Sequence, residues 1–220
     1  MRLGLWALPV YGVLLGLSTL THQPPVDDFD AYARYVTTDV FLISHLGASV
    51  LGAALAVLGA VAVTAYLFPR PGAVAGLVLT TVANTFLAAA FGAAAFVQPG
   101  LGRAHLAGVP GMAAINDDTA YGPALFGTAL SASFLFMVAA VVLGTTIARA
   151  DRQLRWHGVA YAVLIVVFTV GAILWPPLQP IAGFAFAVAT AALAVRLPRT
   201  ARARDFADPA PVLTTGRVRA

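Results

Sequence analysis

Long apolar runs, each nearly free of charge, alternate with short polar segments from one end of the chain to the other. Six runs stand out, at 3–20, 40–68, 73–97, 123–148, 158–175 and 181–195. The second carries no charge from Val40 to Phe68. At ~1.5 Å rise per residue it would reach ~40 Å, enough to cross a hydrocarbon core of roughly 30 Å with some tilt. Within it His45, Ala48, Gly52, Ala56 and Ala60 recur at intervals of three or four, with Ser49 beside them. That spacing puts one histidine and a strip of small residues on a single helical face, the face expected to look into a bundle.

The punctuation between runs is strong. Thr38 or Asp39 offers an N-cap for the second helix, and Pro69-Arg70-Pro71-Gly72 ends it with a turn. Pro99-Gly100 is expected to end the third helix. Pro176-Pro177-Leu178-Gln179-Pro180 makes a tight hairpin between the fifth and sixth. Residues 21–39 read as an external loop with one helical turn near Asp30 to Tyr35. Residues 101–122 form a semi-polar loop, with a re-entrant or interfacial piece around Leu106 to Ile115. The first run, behind Met1-Arg2, also has the outline of a cleaved signal peptide, but a poor cleavage site and Pro24-Pro25 favour a retained helix. Residues 197–220 are a basic tail expected to be largely disordered.

Composition agrees with the pattern. Hydrophobic residues make up 60% of the chain and charged residues 10%, with a mean hydropathy of +0.87. An ordinary soluble domain has roughly 45–50% and 25%. The expected fold is an all-α integral membrane protein, a six-helix transmembrane bundle. Every basic side chain is Arg, every acidic one Asp, and there is no Cys, which excludes disulfides, thiolate metal sites and thiol nucleophiles. The Arg, Ala, Val and Gly usage suggests a GC-rich bacterial genome.

Arginine placement gives the orientation. Of the thirteen, eleven fall at the ends or in the even-numbered connections, and only Arg34 and Arg103 lie in the two long odd-numbered loops. Those loops hold Asp27, Asp28, Asp30, Asp39, Asp117 and Asp118. Positive-inside bias therefore puts the N- and C-termini in the cytoplasm, in a multi-pass protein of the plasma (inner) membrane. Trp6, Trp156, Trp175 and Tyr121 fall near the span ends, where an aromatic belt sits. The net charge of +4 does not point to nucleic acid. Arg149, Arg152, Arg155, Arg199, Arg202 and Arg204 lie beside the bilayer, where anionic lipid headgroups attract each by about 1 kcal/mol.

Three clusters carry candidate chemistry. His45, with Ser49, sits within the second span, where an ionisable group by default faces the interior or a water-filled cavity; a hydrogen bond across the bundle is the plainer account. Thr81, Asn84 and Thr85 lie on one face of the third span, with Asn84 near the bilayer centre. An unpaired amide there costs several kcal/mol, so Ser131 or Thr128 of the fourth span is the expected partner. His22, His105, Asp117 and Asp118 gather on the outer side as a candidate metal set, although the spacings match no metal motif. Bis-histidine haem ligation fits poorly, because only His45 lies well inside a span. No cofactor is specified.

Three function classes follow. With no acid, base or nucleophile cluster in the spans, the leading one is a non-catalytic accessory subunit or small-ligand binder. Its partners would be the lipid bilayer and a membrane protein or second copy of the chain. The second is a transporter or channel for a neutral substrate along His45, Ser49, Thr81, Asn84, Thr85 and Ser131. The third is a membrane enzyme or a metal or cofactor protein using His45 and His105 with Asp117 or Asp118 at the outer face. A hydrated cavity joining His45 to Asn84 favours transport; tight packing there favours the accessory role.

Overall fold

The structure, a computed structural model, describes residues 2–207, with side chains through Ala201. Among the described residues it is all-helical: α1 Arg2–Ser18, α2 Phe29–Val36, α3 Asp39–Leu67, α4 Pro71–Leu106, α5 Met112–Thr119, α6 Pro123–Ala150, α7 Arg155–Leu174 and α8 Leu178–Ala207. Five of these, α3, α4, α6, α7 (with the 3₁₀ turn Arg152–Leu154 before it) and α8, are long and apolar enough to cross a membrane. α1 is apolar but shorter, and it is interrupted at Trp6. Pro9 explains the interruption, since its ring crowds the carbonyl four residues back and it has no N–H to donate.

The long helices and α1 form a closed ring in which each packs chiefly on two neighbours: α1 on α3, α3 on α4, α4 on α6, α6 on α7, α7 on α8, and α8 back on α1. In lipid there is no hydrophobic drive between helices, so contact has to come from close backbone approach through small residues. The closing seam is built that way. A Cβ added at Gly12 would lie 2.6 Å from the Ala187 backbone nitrogen, and one at Gly183 would lie 2.5 Å from that of Gly16. Both helices thus bring small residues four apart to the crossing. Gly144 and Gly158 do the same between α6 and α7. The small face of α3 is inward as expected, with Ala48, Gly52, Ala56 and Ala60 buried and Gly52 against the Tyr11 ring.

Three boundaries differ from expectation. α4 passes through Pro99 and ends at Leu106, because α2 packs along this extension, with Gly102 against Val36 and the Ala33 carbonyl. The segment expected to be re-entrant or interfacial is a turn, with positive φ at Gly108 and Gly111, followed by α5. α8 continues through Pro198 to Ala207, so the first part of the expected tail is helical; Leu197 is buried and Thr200 hydrogen-bonds back to the Arg196 carbonyl. Residues 208–220 and the side chains of Arg202 and Arg204 lie outside the described residues. The expected cap is present, with Thr38 Oγ1 accepting from the Phe41 N–H.

Leucine at Gly12 would have to push α8 away, so Gly12→Leu should open the ring and cost on the order of 1–3 kcal/mol or more. Gly127 has nothing within 4 Å of an added Cβ. Thermal unfolding in detergent should show a large loss of Tm for Gly12→Leu and little for Gly127→Leu; equal losses would contradict the closing seam.

Candidate functional site

On the axis of the ring lies a cavity of about 430 Å³, and every helix of the ring contributes to its wall. Tyr11 comes from α1, His45 and Ser49 from α3, Asn84 from α4, Ser133 from α6, Thr169 from α7 and Gln179 from the start of α8. Its mouth is bounded by Thr21, His22 and Gln23 from the α1–α2 connection and by Tyr35 of α2. The deeper wall is aromatic. Tyr11 meets Phe136 edge-on at 6.5 Å and Phe186 at 6.3 Å, and Phe186 in turn packs on Tyr161 at 5.1 Å.

The helix that supplies His45 is irregular there. Residues His45–Leu51 form a π-helix, a geometry that is rare and frequently found at functional sites. Its start is marked by a cluster of hydrogen bonds. The Phe41 carbonyl accepts the Ser44 hydroxyl at 2.9 Å and His45 Nδ1, also at 2.9 Å. The His45 N–H keeps its bond to the same carbonyl and also reaches that of Leu42, so this turn is crowded with donors just where the π-helix begins. The wider turn brings Ser44, His45, Ala48 and Ser49 all onto the cavity, while Val50 and Leu51 are exposed. Because a carbonyl only accepts, Nδ1 carries the proton in the neutral ring and Nε2 holds a lone pair. The imidazole is further held between Phe41, with ring centroids 4.0 Å apart, and Phe91 at 5.9 Å.

Asn84 is 2% exposed and donates Nδ2 to the Thr80 carbonyl at 2.9 Å, so its partner is on its own helix and not Ser131 or Thr128. Thr128 bonds the Ala124 carbonyl, and Ser131 faces a separate groove beside Phe86. Thr81 and Thr85 are exposed, each bonded one turn back along α4. Of the expected path, the structure gathers His45, Ser49 and Asn84 in one cavity and leaves Thr81, Thr85 and Ser131 outside it. Ser133, two residues on and so about 200° around the helix from Ser131, lines it instead. Sequence reasoning also missed Tyr11, Thr169 and Gln179. A hydroxyl in the middle of the fifth run and a lone glutamine in a proline hairpin were the available signals.

The candidate metal set is not assembled: among the described residues no three His or Asp side chains are grouped to hold an ion. His22 stands at the cavity mouth. His105 Nε2 lies 2.5 Å from Asp30 Oδ1 and its ring packs edge-on against Phe29, which fastens α2 to the end of α4. Gln23 adds a tie to the Tyr121 hydroxyl at 2.5 Å. Asp117 and Asp118 are exposed on α5. Arg149, Arg152, Arg155 and Arg199 are exposed at the opposite end of the bundle, where Arg70 donates to the Ala150 carbonyl at 3.3 Å.

The hydrogen bond from His105, then its charge, hold the Asp30 carboxyl below the ordinary carboxylate value, with a smaller contribution from Arg34. A depressed folded-state pKa means the tie is in place above the unfolded value of roughly 3.9 and is lost as pH falls through the lower folded value. Asp30→Asn should therefore speed amide exchange in Phe29–Val36 several-fold at neutral pH, relative to wild type. The two proteins should converge below the normal aspartate range. Unchanged exchange at neutral pH would show that the tie does not hold α2.

No protein-family model, curated protein or solved structure matches this chain, so its own geometry carries the functional reading.

Proposed function

We propose that this chain is a bacterial inner-membrane protein that binds a small ligand in an outward-facing vestibule without transforming it. The observation that carries the reading is the axial cavity of about 430 Å³, in which His45 and Asn84 share a wall. Ligand cavities are of this size and mix apolar walls with a few placed polar groups. Two of those groups are nearly sequestered and incompletely used. Tyr11 is 4% exposed and Asn84 2%; among the described residues the Tyr11 hydroxyl makes no hydrogen bond and Asn84 bonds only through Nδ2, and neither free oxygen is fully enclosed, so both open onto the cavity. Groups of this kind cost free energy in a finished core and serve best where a ligand completes them.

The reading includes a sixth crossing by α1 and cytoplasmic termini. At ~1.5 Å per residue α1 reaches ~25 Å, which a neighbouring-helix contact along its length and slight bilayer thinning can accommodate. Arg70, Arg149, Arg152, Arg155 and Arg199 would then face the cytoplasm, and the acidic α2 and α5 segments the outside. Anionic headgroups are the partners proposed for those arginines, and Arg202 and Arg204 would extend the same surface.

Transport of a neutral solute is the second reading. It is favoured by the cavity that joins His45 to Asn84, the feature expected of a transport path, by the π-helical segment beside it, which is a natural place for a change of helix register, and by a floor made of aromatic rings that can turn aside. Binding alone requires neither to move.

The chain has no cysteine, so single introduced cysteines report on one position each. In spheroplasts, a membrane-impermeant thiol reagent added outside should label Ser49→Cys and Ser133→Cys at least tenfold faster than Thr81→Cys. Labelling from the inside only would reverse the orientation, and no labelling of Ser49→Cys from either side would remove the vestibule.

A further inference from the structure

Most hydroxyls of the cavity wall are not free to point either way, Ser49 being an exception deep in the wall. Ser44 gives its proton to the Phe41 carbonyl at 2.9 Å, Ser133 to the Ala129 carbonyl at 2.8 Å and Thr169 to the Ile165 carbonyl at 2.9 Å. Ser18 and Thr19, near the mouth, each donate to the Leu15 carbonyl at 3.0 Å. A hydroxyl whose proton is committed to its own helix offers a passing ligand only oxygen lone pairs. His45 joins this set, because its Nδ1 proton is held by the Phe41 carbonyl and Nε2 is left as an acceptor. Asn84 joins it through Oδ1, with one of its two amide protons spent on Thr80. The donors left in the wall are fewer: the Tyr11 and Ser49 hydroxyls, the second Asn84 amide proton and the Gln179 amide.

Two further features narrow the chemistry. No Arg or Asp lines the cavity, so nothing there neutralises a full charge brought out of water, a cost of several kcal/mol. Phe91, Phe136 and Phe168 give the inner wall flat apolar surface. We infer that the ligand of this cavity is an uncharged molecule bearing hydrogen-bond donors, a hydroxyl or neutral N–H, on an apolar body of ring size. Its donor meets the acceptors of His45 and Asn84, and its ring rests among the phenylalanines. This rests on the binding role proposed above and adds the polarity of the ligand to it. A molecule of the same shape that only accepts hydrogen bonds would take those acceptors out of water without giving them protons, which a site of this kind penalises.

Three probes of similar body separate the alternatives on the full chain in lipid nanodiscs: 2-naphthol, its methyl ether 2-methoxynaphthalene, and 2-naphthylmethylammonium. The readout is the ¹⁵N resonance of His45 Nε2, assigned by its loss in His45→Gln, so that partition into lipid does not count as binding. 2-Naphthol should shift this resonance saturably and bind about tenfold or more tighter than the ether. In Asn84→Leu the preference should shrink to within a few-fold, while Asn84→Asp at a pH where it is ionised should keep it. Equal affinity for alcohol and ether would overturn the donor preference and leave the binding cavity standing. A preference for the ammonium would overturn the requirement for an uncharged ligand. Failure of all three probes to move the resonance would overturn both this inference and the binding reading beneath it.

Discussion

Ring closure between α1 and α8 is the contact on which the rest depends. Helices in a bilayer gain nothing from hiding apolar surface, because the solvent is as apolar as they are. What remains is dispersion at short range, and that requires backbones to come close. Gly12 and Gly16 on one side, with Gly183 and Ala187 on the other, permit it. Replace that seam with bulky side chains and α1 has no reason to stay, since its own length is marginal for a span.

Holding α1 in place also sets the position of Tyr11. Its ring lies against Gly52 of α3, and meets Phe136 of α6 and Phe186 of α8 edge-on. One tyrosine thus touches three other members of the ring at the level where the axial space narrows. Above it the helices diverge enough to leave room, and below it Phe186 and Tyr161 fill the axis. The cavity is therefore a consequence of helix arrangement: close packing where residues are small, and space beside the π-turn of α3. The short helical segments beside the mouth do not simply roof it. α2 is fixed to α4 by Gly102 packing and the Asp30–His105 pair, which leaves the mouth bounded by the preceding linker.

The arrangement of protons within the wall has the same origin as the stability of the helices. A serine or threonine in an apolar span is cheapest when it bonds its own preceding turn, and most of those here do so. That economy leaves their oxygens pointing outward as acceptors wherever they line a space. His45 follows the same rule through its ring nitrogen. The polarity of the site is thus inherited from local backbone chemistry in separate helices, before any ligand is considered.

Hydropathy is a one-dimensional property, and the sequence by itself determined what depends on it: the five long apolar helices and the inward face of α3 marked by Ala48, Gly52, Ala56 and Ala60, whereas Pro99 and Pro198 did not end the helices that contain them. It did not determine which polar side chains meet. Thr81, Asn84 and Thr85 look alike along the chain, yet only Asn84 reaches the axis; Ser131 and Ser133 are two residues apart and face opposite ways. A hydroxyl satisfied within its own helix exerts no pull on that helix's rotation, so sequence position says nothing about where it will face. Rotation is set by the packing of small residues against distant partners, and the extension of α4 past Pro99 by a helix sixty-odd residues earlier in the chain. Only the tertiary structure holds that information, because each contact joins residues that no local pattern connects.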